Sequence, residues 1–106
     1  MYHYRATIIR WVDGDTVDVD IDLGLRIRSV QRLRLLGVDT PERGEPGYNE
    51  ATQYCATRCP PGSVVELQTE KGDSFGRWLT RVFTPDGGDL SMELLSNKLA
   101  VERLHK

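Results

Sequence analysis

The stretch VDGDTVDVDIDLG, residues 12–24, alternates apolar and acidic side chains and decides the architecture of the chain. Successive side chains of a β-strand point to opposite faces, so this alternation predicts a half-buried strand over residues 16–23. The apolar face carries Val17, Val19, Ile21 and Leu23, and the solvated face carries Asp18, Asp20 and Asp22. Asp13-Gly14, just before the strand, is a strong signal for a β-hairpin turn.

Four more strands are predicted around this one, over residues 4–12, 26–36, 63–69 and 77–84. A helix that begins at an Asn49 cap and stops before Pro60-Pro61 separates the third strand from the fourth. A second, short helix covers residues 91–98, and Asn97 is a residue type that tolerates a left-handed stop. This order predicts a mainly β (α+β) fold, a five-stranded Greek-key OB-fold barrel, in a single domain of residues 1–106.

The composition excludes several classes of protein. A net charge of −2 gives no support for a passive nucleic-acid coat. No apolar run approaches the roughly 20 residues of a membrane span, and the N-terminus has no secretion signal, so we expect a cytoplasmic protein without a membrane partner. Two cysteines, Cys55 and Cys59, are too few for a disulfide scaffold and are interpreted as semi-buried thiols.

Two acidic clusters lie far apart in the sequence but at the same end of the predicted meander. Asp13 and Asp15 follow the first strand, and Asp39 and Glu42 follow the third. Taken alone, Asp13 and Asp15 are explained by a hairpin turn. Because the second cluster is expected beside them, we predict that the four carboxylates converge, which is costly unless a cation neutralises them. Oxygen ligands without histidine or thiolate point to calcium or magnesium.

Arginines complete the predicted site. Arg26, Arg28 and Arg32 are interpreted as a solvent-facing row of the third strand. Arg34 stands five residues before Asp39, and Arg77 follows a glycine at the start of the fifth strand. A divalent cation flanked by guanidinium groups suits a phosphodiester, because both stabilise the charge that develops at phosphorus during hydrolysis.

Three motifs resemble the staphylococcal nuclease (thermonuclease) family: V-D-G-D-T at 12–16, R-L-L-G-V-D-T-P-E at 34–42 and F-G-R at 75–77. The resemblance runs over about residues 9–100. It implies a calcium-dependent endonuclease that hydrolyses single-stranded DNA and RNA, breaks the bond to the 5′ oxygen and leaves 3′-phosphate ends.

The resemblance also implies a role for each acidic residue of the site. Asp15 and Asp39 would ligate Ca²⁺ directly, together with the backbone carbonyl of Thr40, while Asp13 would lie behind these ligands. Glu42 would position or deprotonate the attacking water.

Arg34 and Arg77 would hold the scissile phosphate, and Phe75 would stack at the substrate. The chain departs from the family pattern where Ser74-Phe75 replaces a frequent Lys-Tyr, and where the family's third helix has no counterpart before Lys106. We therefore expect either marginal stability or a homodimer in which the tail VERLHK pairs with another chain.

A catalytically weak or inactive module that binds nucleic acid or protein is the alternative, since OB-folds bind oligonucleotides without chemistry. The enzyme is favoured because only catalysis requires all the acidic and arginine positions at once. Those positions are Asp15, Arg34, Asp39, Glu42 and Arg77.

Overall fold

The computed structural model describes residues 2–70 and 78–103. Within these ranges the chain forms seven strands and two helices. In chain order they are β1 Tyr2–Asp13, β2 Thr16–Asp22, β3 Arg28–Leu35, β4 Val38–Asp39, α1 Tyr48–Arg58, β5 Val64–Glu70, β6 Trp78–Phe83, α2 Leu90–Ser96 and β7 Val101–Glu102.

Five of these strands close into a barrel in the order β1-β2-β3-β6-β5, with β5 returning to β1. All pairings are antiparallel except β3 with β6, which is parallel. With α1 between β3 and β5, this is the five-stranded Greek-key barrel of the OB-fold, and it confirms the predicted architecture.

The alternation in β2 divides the core from the surface as predicted. Val17 and Val19 are fully buried and Ile21 is nearly so, whereas Leu23 is 46% exposed because the strand ends at Asp22. The acidic face is solvated but also ion-paired with arginines of the flanking strands. The pairs are Asp18 with Arg10 and Arg32, and Asp20 and Asp22 with Arg28.

Helix α1 packs on the barrel through the buried Ala51 and Cys55. It begins after Gly47, which has a left-handed φ of 91° and, as a glycine, has no side chain that could cap the first turn. Asn49 lies inside the first turn, so the prediction that it caps the helix is wrong. At the other end, the Trp11 indole donates to the carbonyl of Cys59 at 2.9 Å, which ties the end of α1 to β1.

Helix α2 is capped by Asp89, whose carboxylate accepts from the backbone N–H groups of the first turn. The left-handed residue after the helix is Lys98, with φ 58°, and not Asn97, whose φ is −92°. The prediction for Asn97 is therefore wrong. Neither helix in the described ranges has the length and apolarity that crossing a membrane requires, α1 being 11 residues long.

Past α2 the chain forms β7, which pairs antiparallel with β4 in a separate two-stranded sheet. The short strands β4 and β7 were not predicted from the sequence. The predicted pairing of this tail with another chain finds no support here, because Val101 and Glu102 pair with Asp39 and Val38 of the same chain.

Candidate active site

A cleft of about 970 Å³ opens where the β1–β2 turn, the exit of β3 and the tail after α2 meet. It lies there because, in an antiparallel meander, the first turn and the end of the third strand fall at the same end of the sheet. Its lining contains the predicted site residues Asp13, Asp15, Arg34, Asp39, Thr40 and Glu42. Phe75 and Arg77 lie outside the described residues.

Asp15 is held in the cleft through both its backbone and its side chain. Its carbonyl accepts from the N–H of Leu35 at 2.8 Å, which joins the β1–β2 turn to the end of β3. One carboxylate oxygen accepts from the N–H of Thr40 at 3.2 Å, and the other from the hydroxyl of Thr16 at 3.2 Å. Only 8% of Asp15 is exposed, so its carboxylate has a defined orientation.

Gly14 allows this turn to lie directly under the loop after β4. A Cβ at position 14 would lie 2.9 Å from Cγ2 of Thr40 and 3.0 Å from Cβ of Ala51. Gly14 is not among the glycines with positive φ, so the position requires glycine for space rather than for backbone conformation. The hairpin predicted from Asp13-Gly14 is confirmed, but its two turn residues are Gly14 and Asp15, between the paired Asp13 and Thr16.

Arg34 is the charged centre of the site. It is 8% exposed, and its Nη2 contacts Oδ1 of Asp39 and lies 3.4 Å from Oδ2 of Asp15. A buried charge is tolerated when it is paired in this way. Its Nε and the hydroxyl of Thr40 are buried and have no hydrogen-bond partner among the described residues. Buried polar groups are normally hydrogen-bonded, so these two mark a place where a ligand would complete the site.

Asp39 forms an ion pair with a second arginine, Arg103, which the sequence did not indicate as a site residue. Nη1 of Arg103 lies 3.0 Å from Oδ1 of Asp39, the same oxygen that Arg34 contacts. The two residues are 64 positions apart, and only the pairing of β7 with β4 brings them together. No motif in the sequence connects the tail with the site.

The remaining carboxylates lie farther from this centre. Glu42 is exposed, and its backbone N–H donates to the Glu45 side chain at 2.7 Å, which folds the loop after Thr40 back on itself. Asp13 is half-buried at the end of β1. The four predicted carboxylates thus share one cleft. They do not form a tight cluster, since the described part of the chain contains no group of three or more His, Cys, Asp or Glu that could hold a metal ion.

The chain is thus a closed OB-fold barrel with an arginine buried between two aspartates at one end. The family described as "Staphylococcal nuclease homologue" matches residues 32–106. The chain belongs to this family.

Similar proteins include a thermonuclease of Staphylococcus hyicus, 34% identical over 92% of this chain and 55% of the relative. The endonuclease YhcR of Bacillus subtilis (strain 168) is 31% identical over 92% of this chain and 9% of its own length. A micrococcal nuclease of Shigella flexneri is 32% identical over 77% of the chain and 44% of the relative. The chain therefore spans about half of the thermonuclease and a small part of YhcR.

Proposed function

We propose that this domain is a calcium-dependent endonuclease that hydrolyses single-stranded DNA and RNA to products with 3′-phosphate ends. The observation that carries the proposal is Arg34, a buried guanidinium that lies between Asp15 and Asp39 and retains a donor without a partner in the described residues. Relatives named thermonuclease, endonuclease and micrococcal nuclease support nuclease activity in general.

The cleft carries oxygen donors of the kind that a hard divalent cation prefers. Oxygens of Asp15 and Asp39 contact one and the same guanidinium nitrogen, so the two carboxylates already face a single positive group. These carboxylates and the backbone carbonyl of Thr40 would hold Ca²⁺, which accepts such ligands in flexible geometry. Asp13 would lie next to these ligands without contacting the ion directly. When bound, the ion would neutralise charge on a phosphoryl oxygen of the substrate.

The chain's own residues would supply binding and proton transfer. Arg34 binds a phosphate through the N–H groups that its carboxylate partners leave free, because the planar guanidinium suits bidentate contact with phosphate. Glu42 lies exposed at the rim of the cleft, where it can orient or deprotonate a water molecule. Arg77 as a second phosphate ligand and Phe75 as a stacking residue complete the proposal from the sequence motif.

A module that binds nucleic acid or protein without hydrolysis is the second candidate. It is favoured by one observation, namely that the described residues hold no cluster of three or more side chains able to ligate a metal. The two candidates differ in turnover, so one assay distinguishes them.

The test is incubation of a 5′-labelled single-stranded DNA with calcium, with magnesium and with chelator, followed by analysis of the product ends. We expect cleavage with calcium, none with chelator, and a mobility change of the labelled product on phosphatase treatment that reveals a 3′-phosphate. Cleavage that persists in chelator would refute calcium dependence, and no cleavage under any condition would favour the binding module.

Glu42→Gln tests the proposed role of Glu42. We expect a loss of turnover of roughly 10²- to 10⁴-fold, the usual contribution of a general base. Glu66→Gln is the matched control, because Glu66 is an exposed glutamate on β5 outside the cleft lining. If the two variants retained equal turnover, Glu42 would have no part in the chemistry.

A further inference from the structure

The tail after α2 forms one wall of the cleft and is attached firmly to the barrel. Leu99 and Ala100 pack against the hydrophobic core, and β7 pairs with β4 directly beyond them. The backbone N–H of Arg103 donates to the carbonyl of Gly37 at 2.8 Å. The side chain of Arg103 therefore extends from a backbone position that the sheet defines.

Arg103 presents unused donors to the cleft. Its side chain is 36% exposed, and within the described residues its one hydrogen bond is that of Nη1 to Asp39. A guanidinium has five N–H donors in a planar fork, so one edge can bind a carboxylate while another binds a phosphate. Exposed ion pairs stabilise a fold little, and the contact with Asp39 is therefore a weak reason for an arginine at this place.

The two arginines of the site converge on a single anionic atom. Nη2 of Arg34 and Nη1 of Arg103 both contact Oδ1 of Asp39, so two positive groups share one carboxylate oxygen. Asp39 must divide its charge between these two guanidinium groups, so each of them keeps N–H donors and positive charge for a further anion. A phosphodiester oxygen supplies such an anion with the geometry that guanidinium groups bind best.

We infer that Arg103 is a substrate-binding residue that contacts a backbone phosphate of the single-stranded nucleic acid in the cleft. The inference rests on the proposed function, because it concerns the substrate of the same site. It adds a residue that lies outside the three sequence motifs and that belongs to the tail rather than to the barrel.

The test measures binding without turnover. A fluorescein-labelled single-stranded oligothymidylate is titrated with the protein in chelator, and anisotropy is recorded at several salt concentrations. For Arg103→Gln we expect roughly tenfold weaker binding, as for the loss of one charge-assisted hydrogen-bonding group. The slope of log K against log salt should fall by about 0.7, the value for one phosphate contact on a single strand. Arg103→Lys should keep most of the slope.

Arg28→Gln is the matched control. It removes the same charge from a partly exposed arginine that pairs with Asp20 at 3.0 Å on the outer face of the barrel. Equal affinities and slopes for Arg103→Gln and Arg28→Gln would overturn the inference and leave the proposed function intact. No binding by the unmodified protein in chelator would overturn the inference, whereas the proposed function is tested separately by the cleavage assay with calcium. Thermal unfolding followed by circular dichroism shows whether each variant is folded. If Arg103→Gln is not folded, Arg103→Met, which also removes the charge but keeps an aliphatic side chain, takes its place in the comparison.

Discussion

Gly14→Ala tests whether the turn under the cleft depends on space alone. The new methyl group would lie 2.9 Å from Cγ2 of Thr40, 3.0 Å from the Thr40 hydroxyl and 3.0 Å from Cβ of Ala51. Overpacking of this kind costs about 1–3 kcal/mol. Because the φ of Gly14 is not positive, alanine also gains about 0.4–1 kcal/mol from the reduced entropy of the unfolded chain. The expected net loss in the free energy of unfolding is about 1–2 kcal/mol.

The assay is urea denaturation followed by tryptophan fluorescence. With an m value of about 1.5 kcal/mol/M, the midpoint should fall by about 1 M. Thr40→Ser removes the nearest methyl group, so the cost of Gly14→Ala should drop by about 1 kcal/mol in that background, as a double-mutant cycle would show. An equal cost in both backgrounds, or a cost below about 0.5 kcal/mol in the native background, would refute the steric explanation.

Three further outcomes are expected. Asp39→Asn should weaken calcium binding at least tenfold in calorimetry, and unchanged affinity would remove Asp39 from the ligand set. Hydrogen bonding from Arg58, and then from the Tyr54 hydroxyl, lowers the pKa of Glu93 despite its partial burial. The stabilisation that comes from this lowered pKa is therefore present above the ordinary glutamate pKa and is lost as pH falls through the lowered value. Glu93→Gln should lower the free energy of unfolding by about 1–2 kcal/mol at pH 7 and make that free energy depend less on pH in the acid range. Burial raises the pKa of the Cys55 thiol and raises that of Cys59 to about 11. Neither thiol should therefore react with a thiol reagent at pH 8 until the protein is unfolded. Rapid labelling of the native protein would contradict the burial of these two cysteines.

The strands of the barrel were predictable because their signals are local and repeat. The alternation in β2 follows the period of two that a half-buried strand imposes, and Val65 and Leu67 of β5 share it. Strand β1 keeps this period from Ala6 to Ile8, beyond which register shifts interrupt it before the buried Trp11. Helix ends were less predictable, because the left-handed Gly47 and Lys98 took the places that Asn49 and Asn97 were expected to fill. Residue type favours such positions, but packing of the adjoining segments decides among neighbours.

The amino-acid sequence by itself determined the barrel, the meeting of two acidic segments at one end of it, and the family to which the chain belongs. Only the tertiary structure decided that Arg34 lies buried between Asp15 and Asp39, that Gly14 is needed for space, and that Arg103 reaches Asp39 from 64 positions away. The reason is physical. A strand of two residues such as β4 or β7 has no periodicity to read, and contacts between distant segments depend on how the whole chain packs.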